Sequence, residues 1–206
     1  RRLWLQTTNK IEAKAEKTSK GQDKKVTFFN LNNFRDAQID YPMAFSDLHL
    51  AKVKIKPKPE PYQIEAIKDV SSRLKTIDRG QLIMACGTGK TLTTLWIQEE
   101  LKVQSTLVLV PSLSLLSQTM REWAWASNTD FEILNVCSDK SVGKKTEDMK
   151  PEDAPFPVTS KVEEIIKFLK KPKPKVIFCT YQSSPLIAEA HENSAISNFD
   201  LIIADE

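Results

Sequence analysis

Between residues 62 and 204, apolar positions follow two alternating patterns, one typical of helices and one typical of buried strands. Apolar residues at helical spacing predict a helix over residues 62–74. Continuous apolar runs predict strands that are buried on both faces. The predicted strands cover residues 81–85, 105–110, 131–136, 176–179 and 200–204, and further helices are predicted over residues 92–101, 111–125, 162–169 and 185–192.

Strands that alternate with helices predict an α/β fold with a doubly wound, mostly parallel sheet and right-handed crossovers. In such a sheet the ligand lies at the carboxyl ends of the strands. Gly87 and Asp205 each follow a predicted strand, so we expect both near the ligand. Residues 137–160 are polar and contain proline, which indicates a surface excursion between two strands.

The first fifty residues, 1–50, lack the long periodicity of a complete domain, and we interpret them as the end of a larger one. They contain short patterns that predict strands at residues 3–8 and 26–29 and a helix at 11–17, with an irregular stretch at 38–50. In residues 51–61 lysine alternates with apolar residues or proline, which favours an extended linker. A stripe of lysines that faces DNA is the alternative, and its members are Lys52, Lys54, Lys56 and Lys58.

Composition adds few constraints. The chain has 206 residues and a formal net charge of +3, which permits nucleic-acid binding without requiring it. Its three cysteines are widely spaced, so neither a disulfide framework nor a metal site is indicated, and we expect a cytoplasmic protein. No apolar run approaches the length of a membrane span, so no membrane partner is expected. The chain stops at Glu206 directly after an apolar run, and we expect it to be a fragment.

The stretch that ends at Thr91 is an apolar run, two glycines and Gly-Lys-Thr before a predicted helix. This is the pattern of a phosphate-binding loop, although Met84 stands where the strict pattern has glycine. Gly87 and Gly89 allow successive N–H groups to point at phosphate oxygens. Lys90 can contact the β- and γ-phosphates, and Thr91 can offer its hydroxyl to Mg²⁺. A glycine-rich turn that happens to carry a lysine is the alternative.

Asp205 and Glu206 follow the last apolar strand, well downstream of the glycine-rich loop. Mg²⁺ bound to a nucleotide needs a hard oxygen ligand, which Asp205 can supply directly or through water. Glu206 can orient the water that attacks the γ-phosphate. An acidic cap at the end of a strand is the alternative interpretation.

Tyr62 and Gln63 lie one helix upstream of the loop. The side-chain amide of Gln63 carries both a donor and an acceptor, which suits the edge of adenine, and Tyr62 can pack under the base. A surface tyrosine beside a glutamine at the start of a helix is an equally good interpretation of the chemistry.

The order of these motifs resembles that of superfamily 2 helicase-like ATPases. The motifs that carry the resemblance are Tyr62-Gln63, residues 84–91, Val110-Pro111-Ser112, Thr180-Tyr181-Gln182 and Asp205-Glu206. Residues 84–91 look like the form found in restriction-enzyme motor subunits, which accounts for Met84. Residues 110–123 are similar to the second motif of the single-polypeptide type I (type ISP) restriction-modification enzymes.

The resemblance implies a first RecA-like ATPase lobe over residues 62–206, truncated at the family's motif II, which is Asp205-Glu206 here. It implies a basic linker over residues 51–61 and, over residues 1–50, the C-terminal stub of a restriction-endonuclease-like domain. The implied function is ATP binding and hydrolysis, with Mg²⁺, in a translocase on double-stranded DNA. A stand-alone DNA or RNA helicase and an ATP-gated nucleic-acid-binding module are the alternatives.

The resemblance also assigns site residues. It implies that Lys90, Asp205 and Glu206 are catalytic and that Thr91 and Asp205 hold the metal. Nucleotide contacts are implied for Tyr62, Gln63, Ala85, Cys86, Gly87, Thr88, Gly89, Lys90, Thr91 and Leu92, and nucleic-acid contacts for Ser112, Gln118 and Thr180. The arginine finger of such motors belongs to a second ATPase lobe, which this sequence does not contain, so we expect these residues alone to bind ATP but not hydrolyse it.

Overall fold

The computed structural model describes residues 2–5, 13–21, 26–29, 31–37, 39–138 and 158–205. The chain forms two compact units, Arg1–Lys56 and Pro57–Glu206. In the described part of the chain no helix combines the length and the apolar character needed to cross a bilayer.

The first unit contains two small sheets. Strand β1 (Arg2–Leu5) pairs in parallel with β2 (Val26–Phe29), and helix α1 (Ala13–Lys20) lies between them in the sequence. Helix α2 (Leu31–Asp36) was not predicted. The stretch predicted to be irregular contains strand β3 (Ile39–Asp40), which pairs antiparallel with β4 (Lys52–Val53), and a 3-10 helix at Phe45–Leu50.

The second unit is an α/β structure around a five-stranded parallel sheet, as the sequence predicts. The strands lie in the order β7-β6-β8-β5-β9. Their bounds are β5 Ser105–Val110, β6 Glu132–Val136, β7 Val158–Thr159, β8 Lys175–Thr180 and β9 Leu201–Ala204. The helices are α3 Pro61–Arg73, α4 Lys90–Leu101, α5 Leu113–Ala126, α6 Val162–Leu169 and α7 Ser184–Glu192.

Two predictions about the sheet were wrong. Residues 81–85 do not form a strand, and no described strand is hydrogen-bonded to them, so the apolar Ile83 is 84% exposed. The fifth strand is instead β7, whose two residues lie at the end of the predicted surface excursion and pair with β6. The rest of that excursion, residues 139–157, lies outside the described residues.

Helices cover the sheet on both faces, because parallel strands bury both of their faces. Side chains of α3, α4 and α5 form one apolar cluster with the sheet, which includes Leu95, Trp123 and Phe178. Side chains of α6 and α7 form the other, which includes Ile165 and Ile187.

The two buried cysteines belong to different clusters. Cys137 packs with the α3–α5 side and Cys179 with the α6–α7 side. Burial, with a smaller contribution from the nearby Cys137, raises the pKa of Cys179 to about 12. The Cys179 thiol is therefore protonated at neutral pH and acts as a small apolar group.

The carboxylate of Asp200 fastens the start of β9 to the start of β5. It accepts hydrogen bonds from the backbone N–H groups of Gln104 and Ser105, both at 2.9 Å, and from the Ser105 hydroxyl at 3.1 Å. The Asp200 N–H donates in return to the Ser105 carbonyl at 3.0 Å. These contacts set the register of the strand that leads to Asp205.

We expect Asp200→Ala to lower the free energy of unfolding by about 1–3 kcal/mol, because it leaves the N–H groups at the start of β5 without their charged acceptor. Asp130→Ala is the matched control, since Asp130 is exposed and makes no hydrogen bond or ion pair among the described residues, and it should change stability by less than about 0.5 kcal/mol. Urea unfolding followed by circular dichroism measures both. Equal stability of the two variants would contradict the role of Asp200.

Candidate functional site

The loop before α4 depends on two glycines in the left-handed region. Gly87 has φ of 76° and Gly89 has φ of 73°, values that other residues adopt only with strain. A Cβ at Gly89 would also lie 2.7 Å from Nε2 of Gln63. Between the glycines, the Thr88 hydroxyl donates to the Ala85 carbonyl at 2.7 Å and tightens the turn. The sequence therefore needs glycine here for backbone geometry.

The N-terminus of α4 is suited to an anion. Its N-cap is Gly89, and among the described residues no side chain caps its first N–H groups. Ser112, by contrast, caps α5 by accepting from the Leu115 N–H at 3.2 Å. Uncapped N–H groups and the helix dipole together favour bound phosphate. Lys90 adds a positive charge, and its ammonium spans the loop to the Met84 carbonyl at 3.3 Å.

The carbonyl of Thr88 joins the loop to the start of α3. It accepts hydrogen bonds from the Tyr62 hydroxyl at 3.2 Å and from Nε2 of Gln63 at 3.0 Å. Oε1 of Gln63 accepts from the Glu60 N–H at 2.9 Å, and the side chain is buried. A glutamine amide has two N–H donors and two lone pairs, so one of each remains for another partner.

The two residues predicted to hold a metal lie on different elements. Thr91 is in the first turn of α4, and its carbonyl accepts from the indole N–H of Trp123 at 2.9 Å. Asp205 follows β9, where its N–H donates to the Leu109 carbonyl at 2.9 Å and its carbonyl accepts from the Tyr181 hydroxyl at 3.0 Å.

Among the described residues, no hydrogen bond or ion pair links Asp205 to Lys90 or Thr91. Glu206 lies outside the residues that the structure describes. Ala85 and Cys86 are exposed on the loop, and Leu92 packs at the edge of the α3–α5 cluster.

The three residues predicted to contact nucleic acid differ in exposure. Ser112 caps α5, and Gln118 is exposed on the same helix, where it donates to Glu122 at 2.9 Å. Thr180 is only 1% exposed, and its hydroxyl donates to the Ser183 hydroxyl at 2.9 Å. The exposed polar group of this segment is Gln182.

The sequence analysis assigned no role to the side chains of Trp123, Tyr181 and Ser183. The Ser183 hydroxyl accepts from the Ser138 N–H at 2.7 Å and from Thr180, and so fixes the turn that follows β8. Aromatic residues at the end of a helix or strand are ordinary core residues in a sequence, and nothing in the pattern distinguishes these hydrogen-bond donors.

The fold and the loop define a helicase-like, RecA-like lobe of α/β class. Residues 56–206 match the family described as type III restriction enzyme, res subunit, and the chain belongs to that family. Residues 1–49 match a second family, described as restriction endonuclease.

Solved structures of type ISP enzymes resemble this chain. An ATP-dependent type ISP restriction-modification enzyme, LlaBIII, bound to DNA, aligns with 99% of this chain and 14% of its own, at 33% identity and a TM-score of 0.73. A nuclease-deletion mutant of the type ISP enzyme LlaGI, in complex with a DNA substrate mimic, aligns with 73% of this chain and 15% of its own, at 36% identity and a TM-score of 0.60.

A probable helicase of African swine fever virus is 30% identical over 145 residues, which are 70% of this chain and 15% of the viral protein. The chain thus spans about 15% of the length of the curated relatives it matches. These findings confirm the predicted resemblance to helicase-like restriction motors, a class of nucleotide-using proteins.

The loop geometry predicts a graded response to alanine. Gly87→Ala should lower the free energy of unfolding by about 1–2 kcal/mol, the strain of a Cβ in the left-handed region. Gly89→Ala should lower it further, since its Cβ would also collide with Gln63. Gly80→Ala is the control, because its Cβ would meet no atom within 4 Å and the effect should stay within about 0.5 kcal/mol. Urea unfolding ranks the variants, and equal stability of all three would contradict this loop conformation.

Proposed function

We propose that residues 62–206 are the ATP-binding first lobe of a motor that moves along double-stranded DNA in a restriction-modification enzyme. The observation that carries the proposal is the uncapped N-terminus of α4 behind two left-handed glycines, with Lys90 across the loop. In this proposal residues 1–50 end a nuclease-like domain, residues 51–61 are the linker, and residues 62–206 form the ATPase lobe. The family match and the type ISP neighbours support it.

ATP would be held from two sides. The loop N–H groups and the Lys90 ammonium bind its phosphates, because they concentrate donors and positive charge at one helix terminus. Gln63 would read adenine with the N–H and the lone pair that Thr88 and Glu60 leave available. Binding of the base would then affect the phosphate loop, because the Gln63 amide would contact both adenine and the Thr88 carbonyl.

Mg²⁺ fits the oxygen donors of Thr91 and Asp205. Magnesium in nucleotide sites is usually held by one or two protein oxygens together with the phosphates. When bound, it neutralises charge on the β- and γ-phosphates. Thr91 and Asp205 would orient the complex, and Glu206 would hold the attacking water.

Nucleic acid would contact the N-terminal half of α5 and the turn after β8. The proposed contacts are Ser112, which caps α5, Gln118 on α5 and Thr180 at the end of β8. Gln182 is exposed on the turn that follows. A motor must not stall at preferred sequences, so these contacts should fall on phosphates. The lysines at 52, 54, 56 and 58 are all exposed and can add to the electrostatic attraction. Two neighbours whose structures contain DNA or a DNA mimic support DNA as the partner.

A helicase that separates strands is the second candidate, favoured by the similarity to the viral probable helicase. The two functions differ in what the longer protein does to a duplex. Displacement of a triplex-forming strand without unwinding indicates translocation, whereas release of one strand of the duplex itself indicates a helicase.

Lys90→Ala should weaken binding of a fluorescent ATP analogue by at least about tenfold, because it removes the charge that faces the phosphates. The fold should persist, since the Lys90 side chain makes only one hydrogen bond among the described residues. Lys68→Ala is the control, an exposed lysine on α3 that should leave affinity unchanged. Fluorescence titration measures both, and an unaltered affinity in Lys90→Ala would argue against a nucleotide site.

Affinity for duplex DNA should fall linearly with the logarithm of salt concentration and should not depend on sequence. Replacing Lys52, Lys54, Lys56 and Lys58 by glutamine should lower the slope by about one unit for each phosphate that the protein no longer touches. The charge-matched control replaces four exposed lysines elsewhere, Lys68, Lys75, Lys167 and Lys170. Gel shifts with unrelated duplexes at several salt concentrations measure the slope. An equal change in both quadruple variants would show that the stripe has no special role.

A further inference from the structure

Two aromatic side chains donate hydrogen bonds to the backbone at the two proposed metal-holding residues. The Trp123 indole N–H donates to the carbonyl of Thr91 at 2.9 Å, and the Tyr181 hydroxyl donates to the carbonyl of Asp205 at 3.0 Å. Trp123 is on α5, the helix that Ser112 caps and that carries Gln118, and Tyr181 directly follows Thr180. Each donor therefore lies on an element that also carries a residue proposed to meet nucleic acid.

The hydrogen bond at Thr91 fixes the start of α4. The same carbonyl also accepts from the Thr94 hydroxyl at 2.9 Å, so two side chains hold one backbone group in the first helical turn. Threonine is β-branched and has few side-chain rotamers in a helix. Once the backbone at Thr91 is fixed, its hydroxyl can occupy only a few positions.

The hydrogen bond at Asp205 acts similarly at the end of the sheet. The Asp205 N–H is held by the Leu109 carbonyl of β5, and the Asp205 carbonyl is held by Tyr181 from the turn after β8. The peptide groups on both sides of the Asp205 Cα are thus fixed, which limits where the carboxylate can point.

The two donors are joined through β8. Trp123 is fully buried, and its ring packs edge-to-face on Phe178 with 5.5 Å between the ring centroids and an interplanar angle of 84°. Phe178 lies on β8, the strand that leads to Tyr181. A displacement of α5 or of the turn after β8 would therefore reach both metal-holding residues through contacts that are rigid and packed.

We propose that Trp123 and Tyr181 are positioning residues that hold the backbone of Thr91 and Asp205 in place for Mg²⁺ and link the nucleic-acid face to the nucleotide site. This inference rests on the proposed nucleotide function. Groups that orient metal ligands typically change metal affinity about 10- to 100-fold when removed. Because these donors act on backbone rather than on the liganding oxygens, we expect effects at the low end.

The test uses Tyr181→Phe and Trp123→Phe in the 206-residue chain, with affinity for a fluorescent ATP analogue measured in EDTA and over a series of Mg²⁺ concentrations. Affinity in EDTA should match the parent, since it depends on Lys90 and the loop N–H groups. The Mg²⁺ concentration for half-maximal enhancement should rise about tenfold in each variant. Binding of Mn²⁺ in the presence of the analogue, followed by electron paramagnetic resonance, gives an independent readout. Tyr41→Phe and Trp125→Phe are the matched controls and should behave as the parent.

Trp123→Phe also shrinks a core side chain, so a second variant carries benzothienylalanine at position 123, which replaces the indole N–H by sulfur with little change of shape. A rise of about tenfold in the Mg²⁺ concentration for half-maximal enhancement in this variant supports the proposal. An unchanged Mg²⁺ dependence in Tyr181→Phe and in this variant, in a chain that binds nucleotide, overturns it and leaves the nucleotide site standing. Equal loss of affinity with and without Mg²⁺ also overturns it and indicates a purely structural role. A parent chain that binds no nucleotide overturns the proposed function itself.

Discussion

Parallel pairing of strands that are covered on both faces is the constraint on which the site depends. The register places Val110 beside Thr180 and Leu109 beside Ala204, so three strands end at nearly the same level. Because parallel strands run the same way, their following loops all leave from one edge of the sheet. The N-terminus of α5, the turn after β8 and the carboxylate of Asp205 are neighbours for this reason. Residues that are far apart in the chain are thereby given one common environment.

The sequence could predict those strands and helices whose patterns are local to one segment. The bounds of β5 and α6 were predicted to the residue, because a continuous apolar run and an amphipathic helix are each complete within their own segment. A strand at residues 81–85 was predicted from the same kind of run, but a strand also needs a paired neighbour, which no local pattern reveals. Strand β7 was missed because two residues are too few to form a pattern.

The residues of the candidate site also differ in whether a local pattern reveals them. The glycines of the loop and Lys90 were predicted, because the motif of a phosphate loop consists of consecutive residues at fixed spacing. Burial of the Thr180 hydroxyl and the hydrogen bonds of Trp123 and Tyr181 were not, since each depends on a partner outside the local pattern. Sequence therefore indicates which residues carry the chemistry better than it indicates which residues hold them.

The Thr88 carbonyl is the backbone group that joins the loop to α3, and its hydrogen bonds bear on the proposed binding of phosphate. Two side chains from the start of α3 donate to it, so the loop is held in its curled form before any ligand arrives. A loop held in this way loses less conformational entropy when phosphate binds. Gln63 achieves this with half of its hydrogen-bonding capacity, which explains why a polar side chain is buried at this position.

The placement of the cysteines on the sheet has a practical consequence for spectroscopy. Cys137 and Cys179 are buried on opposite sides of the sheet, and Cys86 is exposed within the phosphate loop. A thiol-reactive fluorophore or spin label should therefore attach at one position in the native chain, without any cysteine being removed beforehand. The natural sequence supplies a reporter group at the proposed nucleotide site, and its signal would follow the conformation of the loop.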